Sequence, residues 1–217
     1  MATSPFPILA IATLKGGSGK STVASCLAVH WSLKGKAPVL LDADPQRSLI
    51  RLAAREQALN GVRVVDGASD TPGVVAKELA QSAGPVIIDT PGFRAEATLD
   101  ALSTADLVIV PVKASPLDVD VMTDTAETLI QQVKGAAPLF RCLLTQTTRD
   151  SVIARHIRSE LSEAGFPLFE TELTNRVVHG EAALFGATPS MLQPRSAAAR
   201  DIAQLAKEVD SLLAATK

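Results

Sequence analysis

Tyrosine is absent from this 217-residue chain, aromatic residues make up only 3% of it, and it has two cysteines and a single tryptophan, Trp31. With 47% hydrophobic residues drawn mainly from Ala, Val, Leu and Ile, the composition suits helices stacked on a buried sheet, not an aromatic-rich sandwich. Cys26 and Cys142 lie far apart with no CxxC spacing, which supports neither a zinc knuckle nor a disulfide scaffold. No uncharged apolar run approaches the ~18 residues of a membrane span. The opening MATSPFPILA carries no Lys or Arg ahead of its short apolar stretch and does not read as a signal peptide. An excess of positive charge is also missing. Lys plus Arg number 21 against 23 Asp plus Glu, a net charge of −2, so global electrostatics gives no reason to expect nucleic acid. Internal repeats, low-complexity tracts and long Pro/Gly/Ser-rich linkers are lacking too. The expectation is a cytoplasmic protein with reduced thiols, a single domain over 1–217, long enough to bury roughly 70% of its unfolded surface without disulfide or metal.

What is present is an alternation. Ile8 to Ala12, Pro38 to Leu41, Val62 to Val65, Val86 to Ile88, Leu107 to Val110 and Leu139 to Leu144 are continuous apolar runs. Continuous runs indicate strands covered on both faces, as in a parallel sheet. Amphipathic stretches lie between and after them: Val23, Leu27 and Trp31 with Ala24 and Ala28; Ile153, Ile157 and Leu161; and Ile202, Leu205, Ala206, Val209, Leu212 and Leu213. The fold class expected is α/β, a doubly wound, mostly parallel sheet with helices on both faces and a ligand at the carboxyl ends of the strands. Residues 165–195 are the least legible, read as one short strand and one short helix.

The first strand runs into Lys15-Gly16-Gly17-Ser18-Gly19-Lys20-Ser21-Thr22 and then a helix. Closely spaced glycines let successive backbone N–H groups turn toward one anion, and the helix N-terminus adds its positive end. Lys20 is placed to reach β- and γ-phosphate oxygens and the Ser21 hydroxyl to ligate Mg²⁺. Leu14 stands where the ordinary G-x-x-x-x-G-K-[ST] pattern has its first glycine, and Lys15 is an additional lysine. Two readings of Lys15 remain open on chemistry alone: a solvated surface charge, or a cation reaching a phosphate held by a second subunit. Two acidic strand ends accompany the loop. Val39-Leu40-Leu41-Asp42-Ala43-Asp44-Pro45-Gln46 supplies Asp42 and Asp44, and Val86-Ile87-Ile88-Asp89-Thr90-Pro91-Gly92 has the form of a Walker B strand. P-loop enzymes use such acids to hold Mg²⁺ and orient the attacking water; a lone strand-end acid also serves as a helix cap or turn former.

KGGSGKS with its leading lysine, LLDADPQ and IIDTPG together resemble the deviant Walker A ATPases of the ParA/MinD group. Ala105 to Met122 (ADLVIVPVKASPLDVDVM) looks like that group's proline-containing segment. The likeness is to small ParF-like partition ATPases without an N-terminal helix-turn-helix domain, for which a P-loop beginning at Lys15 leaves no room. It covers essentially the whole chain and is specific up to about Asp118. The resemblance implies ATP and Mg²⁺ as cofactors and an ATPase that hydrolyses ATP to ADP and phosphate. It implies Lys15 as the lysine crossing a nucleotide-sandwich homodimer, and Lys20 as the phosphate-binding lysine. Gly16, Gly17, Ser18 and Gly19 become the cradle, Ser21 the Mg²⁺ ligand and Thr22 an α-phosphate contact. Asp44 would position the hydrolytic water, with Asp42 and Asp89 in the Mg²⁺ shell. Pro111, Pro116 and Asp118 would shape the segment near nucleotide and interface. ATP-driven dimerisation would confer non-specific DNA binding, and a ParB-like or other adaptor would stimulate slow hydrolysis, which resets the dimer.

DNA contact would then come from local charge. From residue 141 to 200 every basic residue other than histidine is arginine, and Arg149, Arg155 and Arg158 are the candidates, Arg155 and Arg158 sharing the face opposite Ile153, Ile157 and Leu161. The alternative is a solvated face paired with Glu160 and Glu163. The C-terminal helix carries balanced charge (Arg200, Asp201, Lys207, Glu208, Asp210), which suits packing on the sheet, not a cationic membrane tail. Trp31, Cys26 and Cys142 read as core, and His30, His156 and His179 as surface or capping residues. The functional expectation is a cytoplasmic, nucleoid-associated DNA-partition ATPase. Alternatives are a nucleoid-riding ATPase that positions a non-DNA cargo and a P-loop metabolic ligase of the dethiobiotin-synthetase type.

Overall fold

The computed structural model describes residues 5–13, 16–68, 71–91, 96–115 and 139–215. The apolar runs form strands β1 (Ile8–Ile11), β2 (Val39–Asp42), β3 (Arg63–Asp66), β4 (Val86–Asp89), β5 (Leu107–Lys113) and β6 (Leu139–Thr147). A two-residue strand, β7 (Leu173–Thr174), completes a seven-stranded sheet in the order β3-β2-β4-β1-β5-β6-β7. Every pairing is parallel. The doubly wound parallel architecture expected from the continuous apolar runs is what the chain adopts.

Among the described residues the α-helices are α1 (Lys20–Leu33), α2 (Ser48–Ala53), α3 (Pro72–Ser82), α4 (Glu96–Thr104), α5 (Val152–Glu163), α6 (Val177–Leu184), α7 (Pro189–Leu192) and α8 (Ala197–Ala215). Alternate strand residues feed two cores, because successive side chains leave a strand on opposite faces. Leu9, Ile11, Leu40, Ile87, Ile109 and Leu143 meet Leu27 and Trp31 of α1 and Ile202, Leu205 and Val209 of α8. On the other face Ala10, Val108, Val110 and Leu144 meet Leu102, Ile157 and Leu161. Ile8, Leu41, Val86 and Ile88 meet Ala76, Ala80 and Ala101 there as well. Each fully buried Leu or Ile contributes about 1.5–3 kcal/mol relative to exposure. The C-terminal helix therefore packs on the sheet, as its balanced charge suggested, and Trp31, Cys26 and Cys142 are core residues.

Two expectations change. Ile153 is not on the buried stripe of α5 but 45% exposed, and Ala154, Ile157 and Leu161 form the stripe instead. The 165–195 stretch holds two helices, α6 and α7, besides its short strand. It docks through main-chain bonds: Gln57 N–H donates to Phe185 O and Leu59 N–H to Gly186 O, both at 2.8 Å. Such bonds are indifferent to side-chain identity, so this stretch carries little pattern to read.

β1 is the central strand, and the chain leaves it toward β2 on one side and later crosses to β5 on the other. A strand where connections diverge in this way opens a crevice at its carboxyl end, and the glycine-rich loop begins there.

Candidate functional site

Gly17 and Gly19 have φ of +79° and +94°, a left-handed backbone that side chains strongly disfavour. Gly19 is the N-cap of α1, and Val23 N–H donates to Gly19 O at 2.9 Å, so Lys20, Ser21 and Thr22 form the first helical turn. This places uncommitted N-terminal amides and the helix dipole beside the loop. Gly16 is exposed, while Ser18 is buried and its Oγ has no partner among the described residues. Lys15 lies outside the described residues, as do Pro116 and Asp118.

The two acidic strand ends converge on this loop because β2, β4 and β1 are neighbours. Asp42 and Asp89 are in register on β2 and β4, and both are fully buried. Ser21 Oγ donates to Asp89 Oδ2 at 2.5 Å. Burial raises the Asp89 carboxyl to about 7; the Ser21 hydroxyl and the Lys20 ammonium pull it down, and Asp42 and Asp44 push it up. Asp42 is also raised by burial, offset by backbone amides. Its Oδ2 accepts from Leu49 N at 2.8 Å and Ile50 N at 3.0 Å, so one oxygen anchors the start of α2. The helix-capping and ligand readings of this acid are therefore not exclusive: Oδ2 caps, while Oδ1 is buried with no hydrogen-bond partner among the described residues. Asp89 Oδ1 is in the same condition. Asp44 is half-buried and its Oδ1 accepts from Gln46 N at 2.9 Å, a local turn that fixes the carboxylate at the end of β2.

Two residues at the end of β6 that sequence reading did not single out also touch the loop. Thr145 Oγ1 donates to Ser18 O at 2.8 Å, and Gln146 Nε2 to Gly17 O at 2.7 Å. They form part of a cleft of about 180 Å³ beside Gly19 and Thr22, walled further by Leu173, Asn175 and His179. His179, expected as a surface or capping residue, is in this wall: burial lowers its pKa, Asp201 raises it and Arg176 lowers it. Pro111 lies within β5, paired in register with Leu143. Ala12 N–H donates to Ile109 O, so the same edge of β5 at residue 111 faces the point where β1 has ended and no ladder donor is required.

The arginine candidates separate. Arg149 and Arg155 are exposed. Arg158, by contrast, is 29% exposed and turned inward, its NH1 donating to Phe169 O at 3.0 Å and its Nε and NH2 to Glu172 Oε1 at 3.2 and 3.0 Å. It clasps the β6–β7 connection and is not available on a shared outer face with Arg155. The reason is geometric: residue 158 lies four residues on from Ala154 and so beside it on the helical wheel, close enough to the buried stripe for a long side chain to reach beneath it.

Among the described residues no group of three or more His, Cys, Asp or Glu side chains forms a metal cluster, and no helix is long and apolar enough to cross a membrane.

Residues 9–189 match the family model described as CobQ/CobB/MinD/ParA nucleotide binding domain. "Maintenance of carboxysome distribution protein A" of Gloeobacter kilaueensis is 34% identical, over 96% of each chain. "Chromosome-partitioning ATPase Soj" of Thermus thermophilus is 29% identical, over 93% of this chain and 94% of that one. In fold the chain resembles the septum site-determining protein MinD of Pyrococcus horikoshii, solved with Mg-ADP, with a TM-score of 0.75 over 95% of this chain and 97% of that one at 19% identity. A P-loop on the central strand, two acids on adjoining strands and a match across most of the sequence lead to one conclusion: the chain belongs to the CobQ/CobB/MinD/ParA nucleotide-binding domain family.

Proposed function

We propose that this protein is an ATP-dependent DNA-partition ATPase, switched by nucleotide between a monomer and a DNA-binding homodimer. The observation that carries the reading is the Ser21–Asp89 hydrogen bond at the mouth of the glycine loop, with a second buried acid in register beside it. Mg²⁺ fits these residues: Ser21 Oγ and the unpartnered Oδ1 atoms of Asp42 and Asp89 are hard oxygen donors. A protein set of this size suits an ion that keeps waters and takes substrate phosphates as its remaining ligands. When bound with ATP, the ion supplies charge neutralisation at the phosphate oxygens.

The chain's own residues do the positioning. Gly16, Gly17, Ser18 and Gly19 cradle the phosphates, Lys20 pairs with β- and γ-phosphate oxygens, and Thr22 contacts the α-phosphate. Asp44 orients the attacking water. Lys15 crosses to the partner subunit's nucleotide, so that ATP joins two copies, and Pro111 and Asp118 shape the segment near nucleotide and interface. Arg149 and Arg155 contact DNA phosphates, and two copies double a patch that one copy uses weakly. A ParB-like adaptor completes the site and triggers hydrolysis in a cytoplasmic, nucleoid-associated cycle. The relative named as a chromosome-partitioning ATPase supports this reading. A second reading, positioning of a protein cargo on the nucleoid, is favoured by the 34% identity to a carboxysome-distribution protein.

The test is DNA binding measured with ATP, with ADP and without nucleotide. Binding with ATP alone is expected. ATP turnover that responds to a small metabolite and never to DNA would overturn the proposal in favour of a metabolic ligase. The cargo readings separate by whether the partner protein that stimulates turnover binds a DNA site or a protein assembly.

A further inference from the structure

Regular strand geometry sends neighbouring side chains to opposite faces, yet Thr145 and Gln146 both reach the glycine loop. A bulge explains it. Thr145 pairs with Leu173 and Thr147 with Thr174, so β6 spends one more residue than β7 over the same step, and Gln146 is the extra one. Its φ is +53°, a left-handed conformation uncommon outside glycine. Such a bulge re-aims a side chain and persists only where surrounding structure holds it.

The two side chains grip successive peptide units. In a trans peptide plane C=O and N–H point in opposite directions. Drawing Gly17 O and Ser18 O toward β6 therefore turns the N–H groups of Ser18 and Gly19 away from it, into the concavity made by the left-handed Gly17 and Gly19. We propose that Gln146 is a positioning residue for the nucleotide phosphates: its bulge-aimed amide holds the Gly17–Ser18 peptide so that the Ser18 N–H faces the bound anion. Thr145 does the same for the next peptide. Gln146 also borders the cleft beside Thr22, so a nucleotide filling that cleft would brace the residue that shapes its own phosphate cradle. The proposal rests on the nucleotide-binding reading above.

Two substitutions separate the donor from the backbone shape. Gln146→Met keeps length and removes the N–H donor. Gln146→Gly accepts φ +53° without strain and also has no donor. ATP with Mg²⁺ is titrated calorimetrically into wild type and both variants, alongside nucleotide-free thermal melts that verify folding. Both variants are expected to bind ATP about five- to tenfold more weakly, the range of one lost hydrogen bond, with Gln146→Gly melting at or above Gln146→Met. Wild-type affinity in either folded variant would overturn the proposal, and in Gln146→Gly alone would assign the residue to bulge geometry only. Failure of the wild type itself to bind ATP would bring down the nucleotide reading, and this inference with it.

Discussion

Asp42 and Asp89 stand in register at the carboxyl ends of two neighbouring strands, each with a buried Oδ1 that has no partner among the described residues. Their other oxygens are committed differently, Asp42 Oδ2 to the start of α2 and Asp89 Oδ2 to Ser21. One acid thus ties the site to a helix and the other to the glycine loop.

Asp89 makes the nucleotide-free protein sensitive to pH. Its carboxyl ionises ordinarily near 3.8 and in the fold at about 7, raised chiefly by burial. Protonation therefore favours folding: the contribution is complete below about pH 4 and is lost as pH rises through 7. Asp89→Asn removes the ionisable group. Melts from pH 5 to 8.5 in the absence of nucleotide and divalent metal should show the variant gaining on wild type as pH rises. A constant difference would refute the assignment.

Asp42→Ala strips the amides of Leu49 and Ile50 of their acceptor. A loss of about 1–3 kcal/mol in urea unfolding is expected, typical of hydrogen bonds to a charged group. Asp42→Asn retains an acceptor oxygen and should lose less. An unchanged midpoint for Asp42→Ala would mean that α2 does not depend on this anchor.

Arg158 and the exposed arginine pair should behave oppositely. Arg158→Ala breaks the clasp on Glu172 and Phe169 O and should cost about 1–3 kcal/mol of stability, with little change in the salt dependence of DNA binding. Arg149→Glu with Arg155→Glu should leave stability within about 0.5 kcal/mol and reduce both DNA affinity and its salt slope. If DNA affinity follows Arg158 and ignores the pair, the interface lies elsewhere.

His30 titrates in the opposite sense to Asp89. Burial lowers its pKa, Lys34 and Lys36 lower it further, and Asp210 opposes them. The neutral form is the one folded, so its contribution is present above the ordinary value of 6.5 and is lost as pH falls through the depressed folded value. His30→Gln should flatten the fall in stability on acidification, and equal slopes for the two proteins between pH 7 and 5 would contradict this.

The legible parts of the chain share one property: their meaning is local. Lys20 and Ser21 follow Gly19 directly, and Asp42 and Asp89 each end an apolar run, so strand, loop and acid can be read from neighbours in sequence. The net charge of −2 belongs with them; under the proposed function it bounds DNA affinity, and pairing of two copies by ATP would offset it. The obscured parts depend on distance along the chain. Gln146 reaches Gly17 across 129 residues, through a one-residue bulge that side-chain pattern does not encode. Arg158 occupies a wheel position adjacent to the buried stripe, and only the path of the β6–β7 connection draws its guanidinium inward. His179 reads as a surface or capping residue until α6 is laid against the cleft.

By itself the sequence determined the fold class and the glycine loop with its two strand-end acids, because hydrophobic runs and glycine spacing act over a few residues. Tertiary structure alone decided which carboxylate oxygens remain free, which arginines stay outside and what holds the glycine loop in shape. Those outcomes depend on side chains meeting across strands, and a buried donor or acceptor takes whichever partner the packing presents.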